Sequence, residues 1–364
     1  MRNNHNKKEC GPKGKRLITF TAAINEALIE CMEKDPGVFV MGLGAPDPKG
    51  VFGTTLGLQK RFGTGRVFDM PISENAMTGV AIGAAISGMR PVMAHQRADF
   101  VLMAMDQIVN SAAKWHYMYG GQASVPLTIR TVVGRGWGQG PQHSQNFQAL
   151  FAQVPGLKVV APTTPCEAKG LLTASIEENN PVIFVEHRWL SNQMGDVPEG
   201  YYSMPLGKAN VMRKGSDITV VASMDMALEA MVVADGLLSS GISVEVVNLR
   251  TVKPLDAETI LGSVAKTGRL VVMDSSWYEF GVSAEIAAVV AEKGFDSLKA
   301  KVRRLGLPSV PTPTSPALAG HYYPSEADIC LAIGDVLGVR LNPRKLGFKD
   351  VVGDVPDEYF KGPF

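Results

Sequence analysis

The sequence predicts an α/β fold with two domains, each a mostly parallel sheet flanked by helices. Continuous apolar strands alternate with helices over residues 17–191, which is typical of a parallel sheet covered on both faces. The alternation stops over residues 192–215 and then restarts. A chain of 364 residues, of which 45% are hydrophobic, also has room for two cores.

The predicted organisation has five segments. A flexible N-terminal tail (1–16) precedes the first domain (17–191), a linker (192–215), the second domain (216–338) and a C-terminal tail (339–364). The linker holds prolines, glycines and tyrosines without sustained periodicity. The C-terminal tail is either disordered or laid on a partner surface, and its aromatic side chains favour the partner surface.

The elements of the first domain follow from apolar spacing and capping signals. Apolar positions within 18–34 recur at helical spacing, whereas residues 38–42 form a continuous apolar run that suits a buried strand. Thr164 and Glu167 form a capping box, so a helix begins there and runs to about residue 178. Further strands are predicted at 91–95, 125–130, 157–161 and 181–186, and further helices after Glu74, at 102–119 and at 146–153.

The second domain repeats the alternation on a smaller scale. Its strands are mostly apolar, and its helices carry apolar residues at helical spacing. A proline-rich connection over 308–316 separates the last helix from the others. The predicted strands are 218–222, 243–249 and 270–273, and the predicted helices are 226–238, 257–265, 282–293 and 325–337.

Composition excludes several classes of function. A net charge of +1 gives no basic surface for nucleic acid, and no apolar run is long enough to span a bilayer. The first residues are polar and basic without an apolar core. The four cysteines lie far apart without metal-ligand spacing, which indicates buried or free thiols and a reducing, cytoplasmic compartment.

An acid at the start of a small-residue helix organises the first domain. Glu74 follows a short apolar run and precedes Gly79, Gly83 and Ser87, which recur at helical spacing and give the helix a smooth face. Such a face allows close approach of a second helix. A carboxylate in the first turn also suits the helix dipole, and local sequence alone favours that simpler interpretation.

Several ordered blocks give the chain a family resemblance. From about residue 18 to residue 338 it resembles the β subunits of thiamine-diphosphate-dependent 2-oxo acid dehydrogenases, the type that acts on pyruvate, branched-chain oxo acids or acetoin. A run of blocks in matching order is more specific than any single motif. The blocks are Phe68 to Glu74, Gly79 to Ala85, Gly88 to Pro91, Asp106 to Lys114, Gln142 to Gln145 and Asn248 to Asp256.

The resemblance implies roles for two residues at the cofactor. Glu74 matches the carboxylate that protonates a pyrimidine nitrogen of thiamine diphosphate, which makes its role proton relay. Phe100 matches the aromatic residue that packs against the aminopyrimidine ring. An ordinary core phenylalanine before a helix would look the same in sequence.

The resemblance also implies a catalytic histidine. His143 follows a glycine-rich loop, a poor place for a packed core histidine, and imidazole can hydrogen-bond to or protonate a developing carboxylate or enolate. In the family this residue handles substrate or assists acyl transfer to a lipoyl group. The alternative is a loop residue that caps the helix beginning at Asn146.

A structural monovalent cation, potassium by analogy, is implied by a further match. The family positions supply oxygens, mostly from backbone carbonyls. Here a serine and a glutamate replace the usual small apolar residue and aspartate. The matching residues are Leu127, Ser175, Glu178 and Asn180.

An absent motif predicts a partner subunit. The sequence has no Gly-Asp-Gly, the motif with which family chains hold the diphosphate and Mg²⁺, so this chain offers only the pyrimidine half of a shared site. The resemblance therefore implies an α subunit that carries diphosphate and Mg²⁺, in an α2β2 assembly. Self-association is expected through the second domain, by residues 226–238 or 282–290. A lipoyl acyltransferase is a further partner by analogy.

Departures from the family pattern leave the substrate open. Leu43 and Ala94 replace glutamates, and residues 274–280 lack the usual acidic-glycine pattern, which weakens assignment to pyruvate and to a lipoyl partner. His95 and Arg97 would suit a phosphorylated or hydroxylated substrate. Two alternatives are the C-terminal half of a split transketolase and a non-catalytic scaffolding subunit.

Overall fold

The computed structural model describes residues 16–353 and residue 355. Residues 1–15 of the predicted N-terminal tail lie outside the described residues, as do residue 354 and residues 356–364 of the predicted C-terminal tail. The chain divides into two compact units. The first unit contains residues 16–133 and 150–206, and the second contains residues 134–149 and 207–353. The glycine-rich loop that carries His143 therefore groups with the second unit, although it was predicted as part of the first domain.

The first unit alternates strands and helices as predicted. Its strands are β1 Leu17–Thr19, β2 Val38–Gly42, β3 Val67–Phe68, β4 Arg90–His95, β5 Thr128–Val133, β6 Lys158–Val160, β7 Val182–His187 and β8 Met194–Asp196. Its helices are α1 Phe20–Lys34, α2 Leu58–Phe62, α3 Glu74–Ile86, α4 Ala98–Val101, α5 Ala113–Met118, α6 Gln148–Gln153, whose first two residues group with the second unit, and α7 Pro165–Glu177.

A parallel sheet forms the centre of this unit. Its strands lie in the order β6-β7-β5-β4-β2-β3, and every pair is parallel. Strands β2, β5 and β7 are buried along their whole length, as expected for a parallel sheet covered on both faces, and β2 is apolar throughout. The predicted fold class is confirmed here.

The structure agrees with one predicted helix start in the first unit and modifies another predicted helix. The capping box at Thr164 is present, with Glu167 bonded back to the cap, as predicted. The helix predicted over 102–119 is present as one continuous helical run that ends at Met118, but its hydrogen bonding changes along the chain, from a 3-10 turn at Leu102–Ala104 to a π-helix at Gln107–Ala112 and then α5. A changed hydrogen-bond pattern leaves apolar periodicity almost unaltered, so sequence could not show it.

The second unit is built around a smaller sheet. Its strands are β9 Asn210–Arg213, β10 Ile218–Ala222, β11 Val244–Asn248, β12 Thr251–Lys253, β13 Leu270–Trp277 and β14 Arg303–Leu307. Its helices are α8 Met224–Leu238, α9 Ala257–Thr267, α10 Val282–Lys293, α11 Pro316–Ala319 and α12 Glu326–Leu337. Five strands follow the order β14-β13-β10-β11-β9, parallel except at β9.

The predicted linker is partly regular structure. Strand β8 pairs antiparallel with β1, so the chain beyond residue 191 returns to the first unit, and β9 joins the sheet of the second. Within the described stretch, no helix is long and apolar enough to cross a membrane. Cys31 and Cys330 are buried free thiols as predicted, but Cys166 is disulfide-bonded, because sequence spacing does not reveal spatial proximity.

A buried ion pair ties two central strands of the first unit together. Arg130 on β5 donates to both carboxylate oxygens of Glu186 on β7, from Nε at 2.7 Å and from Nη2 at 3.0 Å. The two side chains are 2% and 7% exposed. Two charges this deep are stable only while each neutralises the other.

We predict that Arg130→Met destabilises the protein by roughly 3–5 kcal/mol, because Glu186 would keep a buried charge without its partner. The matched control is Arg61→Met, which removes the exposed pair of Arg61 with Glu33 and should cost about 0–1 kcal/mol. Urea unfolding of both variants measures the difference. Equal losses would contradict the assignment of Arg130 and Glu186 as a structural pair.

Candidate functional site

Glu74 is the first residue of α3 and is nearly buried. Its exposed fraction is 8%, although the residues on either side of it are exposed. Strand β3 ends at Phe68, and the short connection to α3 is anchored by Asp69, whose Oδ1 accepts from the backbone N–H of Met70 at 2.8 Å. The chain thus places a carboxyl just beyond the carboxyl end of a parallel strand, where ligands of α/β sheets bind.

Phe100 lies on α4, one short connection beyond β4. Phe100 is 39% exposed, so it is not the ordinary core phenylalanine that sequence left as an alternative. Strands β3 and β4 both pair with β2 in parallel, so Glu74 and Phe100 follow the carboxyl ends of strands in one sheet. An acid and an open aromatic face at one sheet edge suit a flat, protonatable heteroaromatic ring.

The loop between β2 and α2 packs beside these residues. The Asp69 Oδ1 also accepts from the N–H of Gly44 at 3.1 Å, and the Gln96 Nε2 donates to the carbonyl of Leu43 at 3.1 Å. Both contacts join this loop to segments that lead to Glu74 and Phe100. The sequence gave no sign of the roles of Asp69 and Gln96.

The candidate cation ligands lie at the opposite edge of the same sheet. Leu127 directly precedes β5, and Glu178 and Asn180 lie between α7 and β7, so they are at the amino ends of parallel strands. The Ser175 carbonyl accepts from the Thr128 hydroxyl at 3.0 Å, and the Leu127 carbonyl accepts from the N–H of Val182 at 2.9 Å. These contacts bring the two chain segments together.

Side-chain cations already contact this edge. Lys158 pairs with the Glu178 carboxylate at 3.0 Å. The Arg90 Nη1 donates to the carbonyls of Ile176, Glu177 and Glu178 at 3.0, 3.2 and 3.1 Å. Arg90 therefore covers the last carbonyls of α7, the negative end of its dipole. Among the residues that the structure describes, no cluster of three His, Cys, Asp or Glu side chains forms a metal site.

His143 lies in the second unit, on a loop with a fixed shape. Its backbone N–H donates to the Gly140 carbonyl at 3.4 Å, and its side chain is half-buried. Asn146 holds the loop: Oδ1 accepts from the Gly134 N–H at 2.9 Å, and Nδ2 donates to the Ser275 carbonyl at 2.6 Å. Helix α6 begins only at Gln148, beyond the start at Asn146 that was predicted.

Asp274 supports the same loop and was missed from sequence. Its Oδ1 accepts from the Gln148 amide at 3.0 Å, and its Oδ2 accepts from the N–H of Val282 at 2.6 Å and from the Ser276 hydroxyl at 2.7 Å. One buried carboxylate thus connects the loop to the start of α10. The only signal was a departure from the family pattern in residues 274–280.

A buried acid, Asp225, and a half-buried acid, Glu229, also lie near this loop within the second unit. Burial raises the pKa of Asp225 to about 7, opposed by the nearby positive charge of Arg135. Burial and Asp225 together raise the pKa of Glu229 to about 7. The Arg135 guanidinium stacks on the Tyr323 ring at 3.2 Å from its centroid. The environment at the start of α8 therefore favours the protonated form of both acids relative to exposed carboxyls.

Comparisons with known proteins agree with both units. Residues 16–193 match the family model described as transketolase, pyrimidine binding domain, and residues 207–329 match transketolase, C-terminal domain. The acetoin:2,6-dichlorophenolindophenol oxidoreductase subunit beta of Cupriavidus necator is 44% identical over 327 residues, which cover 87% of this chain and 96% of that protein. The pyruvate dehydrogenase E1 component subunit beta of Rickettsia felis is 42% identical over 319 residues, covering 88% and 98%.

A solved structure is similar in fold. The chain aligns with a split gene transketolase, described as an inactive beta4 tetramer, with a TM-score of 0.72. The alignment covers 89% of this chain and 99% of that one, at 23% sequence identity. At that identity the similarity supports only the fold of the chain and nothing about its function.

Proposed function

The chain belongs to the family of β subunits that combine a transketolase pyrimidine-binding domain with a transketolase C-terminal domain, and on that basis we propose its function. It is the β subunit of a thiamine-diphosphate-dependent enzyme that decarboxylates a 2-oxo acid and transfers the acyl or hydroxyalkyl unit. The observation that supports this most is the nearly buried Glu74 within a matching block.

The residues of the first unit fit the pyrimidine half of the cofactor. A carboxyl that is 8% exposed can hold a proton at a ring nitrogen, and the open face of Phe100 can carry the ring. When bound, thiamine diphosphate supplies the nucleophilic carbon that attacks the substrate carbonyl. Glu74 keeps the ring in the protonation state that this chemistry needs, while Phe100 orients the ring and excludes water.

His143 is proposed to handle substrate or to assist acyl transfer. Its loop is fixed by Asn146 through both atoms of the amide, and half-burial leaves imidazole accessible to a ligand. A neutral imidazole can donate to a developing carboxylate or enolate. The sequence identity of 40–44% to acetoin and pyruvate dehydrogenase β subunits supports the 2-oxo acid function of the chain over the split-transketolase alternative. That alternative is supported only by similarity in fold.

An α subunit is proposed to complete the site with the diphosphate and Mg²⁺ ligands, in an α2β2 assembly. The surface around α3 supports a partner, because Ile72, Val80 and Met103 are 84%, 57% and 67% exposed. A methyl group added at Gly83 would meet open space, with no neighbouring atom within 4 Å, so a second helix can approach there closely. The lipoyl acyltransferase partner and the cytoplasmic location stay predictions. The disulfide at Cys166 does not support the cytoplasmic location, which was predicted from free thiols.

We predict that Glu74→Gln abolishes most turnover by the α/β complex, since a general acid–base group contributes roughly a hundredfold to ten-thousandfold. Glutamine keeps the shape but cannot relay a proton. Glu33→Gln, an exposed acid on α1, is the matched control and should keep wild-type kcat. Wild-type turnover in Glu74→Gln would refute the role of Glu74.

We predict that the chain alone binds thiamine diphosphate and Mg²⁺ too weakly to measure by calorimetry, and that micromolar binding appears after the α subunit is added. Val80→Glu should weaken assembly, because it places a charge on the exposed face of α3. Leu331→Glu on α12 is a control of similar exposure, 51% against 57%. Micromolar binding by the unmixed chain would overturn the shared site.

The proposed potassium site rests on backbone carbonyls of Leu127, Ser175, Glu178 and Asn180. The Leu127 and Ser175 carbonyls each accept a hydrogen bond, but a carbonyl oxygen has two lone pairs and can also bind a cation. The Glu178 carboxylate is already neutralised by Lys158, so the carbonyls would carry the ion.

We predict that KCl raises the Tm of the purified chain by a few degrees more than equal ionic strength from a tetramethylammonium salt, because an ion that binds only the folded state stabilises it. Thermal scans across a potassium titration measure the effect. Identical Tm values in both salts would contradict the proposed potassium site and leave Arg90 and Lys158 as the positive charges at this edge.

A further inference from the structure

Arg97 is a nearly buried cation at the carboxyl end of β4. It is only 4% exposed, and Gln96 alone separates it from the end of the strand. The Arg97 carbonyl accepts from the Phe100 N–H at 3.3 Å, so Arg97 forms the turn that carries Phe100. A positive charge therefore lies one turn from the ring proposed to hold the cofactor.

The surroundings of Arg97 keep its charge away from water. The guanidinium carbon lies 5.2 Å from the centroid of the Phe52 ring, and Nη1 donates to the Gln96 carbonyl at 2.9 Å. Burial lowers the pKa of Arg97 to about 10, while the half-buried Asp99 opposes this shift. A guanidinium stacked on an aromatic face keeps its N–H donors at the edge of the stack, in the plane that binds carboxylate or phosphate.

Phe52 is held over Arg97 by a strained backbone. Its φ is +50°, a conformation that bulky side chains rarely adopt. Phe52 packs against the apolar cluster of Ala45, Val51 and Ala94, which fixes it in the loop that joins β2 to α2. Strain of this kind persists where surrounding contacts impose it, and it concentrates at ligand sites.

The neighbouring strand end holds polar atoms that a ligand or water would satisfy. His95 on β4 is paired in register with Thr131 on β5. The His95 Nε2 and the Thr131 Oγ1 are buried without a hydrogen-bond partner within the described chain. Burial lowers the pKa of His95 to about 4, so its imidazole is neutral and adds no second positive charge beside Arg97.

We propose that Arg97 binds an anionic group of the substrate other than the carboxylate lost in decarboxylation. The substrate is then a 2-oxo acid that also bears a second carboxylate or a phosphate. This inference rests on the proposed function of the chain. Arg97 selects the substrate through charge-assisted hydrogen bonds from its guanidinium, and Phe52 holds the guanidinium plane in place.

The test compares 2-oxo acids that carry a second anionic group with analogues that lack it, in the assembled α/β complex loaded with thiamine diphosphate and Mg²⁺. The carboxylate pair is 2-oxoglutarate and 2-oxoglutaramate, and the phosphate pair is phosphohydroxypyruvate and hydroxypyruvate. We expect one member with the second anionic group (the charged member) to exceed its analogue (the neutral member) in kcat/KM by roughly tenfold to hundredfold. The pair that shows the preference identifies which anion is recognised.

Arg97 variants then connect the preference to this side chain. Arg97→Met should reduce the kcat/KM ratio of charged to neutral substrate to about one, mainly by raising KM for the charged member, and Arg97→Lys should keep part of it. Arg61→Met, at an exposed ion pair, should leave the ratio unchanged. A purely structural role for Arg97 would lower activity on both members equally.

The outcomes separate this inference from the proposed function. Turnover of 2-oxo acids without preference for either charged member, or a preference that survives in Arg97→Met, overturns the role of Arg97 and leaves the proposed function standing. Absence of turnover for every 2-oxo acid overturns the proposed function and this inference with it. If Arg97→Met fails to fold, the wild-type ratios and Arg97→Lys still decide.

Discussion

The parallel direction of the strands in the first unit is the constraint on which the rest of the account depends. Strands β2, β4, β5 and β7 are parallel, so their carboxyl ends lie at the same edge of the sheet. The segments that follow these strands therefore begin at that edge. Glu74, Phe100 and Arg97 follow strands at that edge. The proposed cation ligands lie at the amino edge, away from these residues, so an ion bound there would have a structural role.

Buried charge is the second theme of the first unit. Arg130 is neutralised by Glu186, and Lys169, fully buried on α7, donates to Glu26 and Glu30 of α1 at 2.5 and 2.9 Å. These pairs join elements that are distant in sequence. Arg97 is a further buried cation of this unit, and its guanidinium lies over the Phe52 ring.

Sequence predicted the regular parts of the fold well because they repeat local signals. Strands 38–42 and 218–222 have the predicted bounds, and the cap at Thr164 follows from two residues in the same turn. Strand β14 was missed, because Arg303 to Leu307 is short, half-buried and begins with two arginines. Tertiary contacts determine whether such a segment forms a strand, and these contacts are not local in sequence.

The candidate site could be predicted only in part from the sequence. Glu74 belongs to a block that resembles a family, and Phe100 matches a family position between two such blocks. Sequence alone was therefore enough to single them out, and the roles implied for them stay proposals. Arg97 was visible as a polar departure, but its burial against Phe52 depends on a left-handed backbone that nothing in the sequence marks at a phenylalanine, because glycine and asparagine are the residues that adopt it readily.

The most direct test of the account is the exchange rate of the thiazolium C2 proton of thiamine diphosphate in the assembled α/β complex, started by mixing with deuterated buffer, stopped with acid and measured by NMR. If Glu74 relays the proton, Glu74→Gln should slow exchange by about a hundredfold or more while cofactor remains bound. Exchange at the wild-type rate in that variant would contradict the central role given to Glu74.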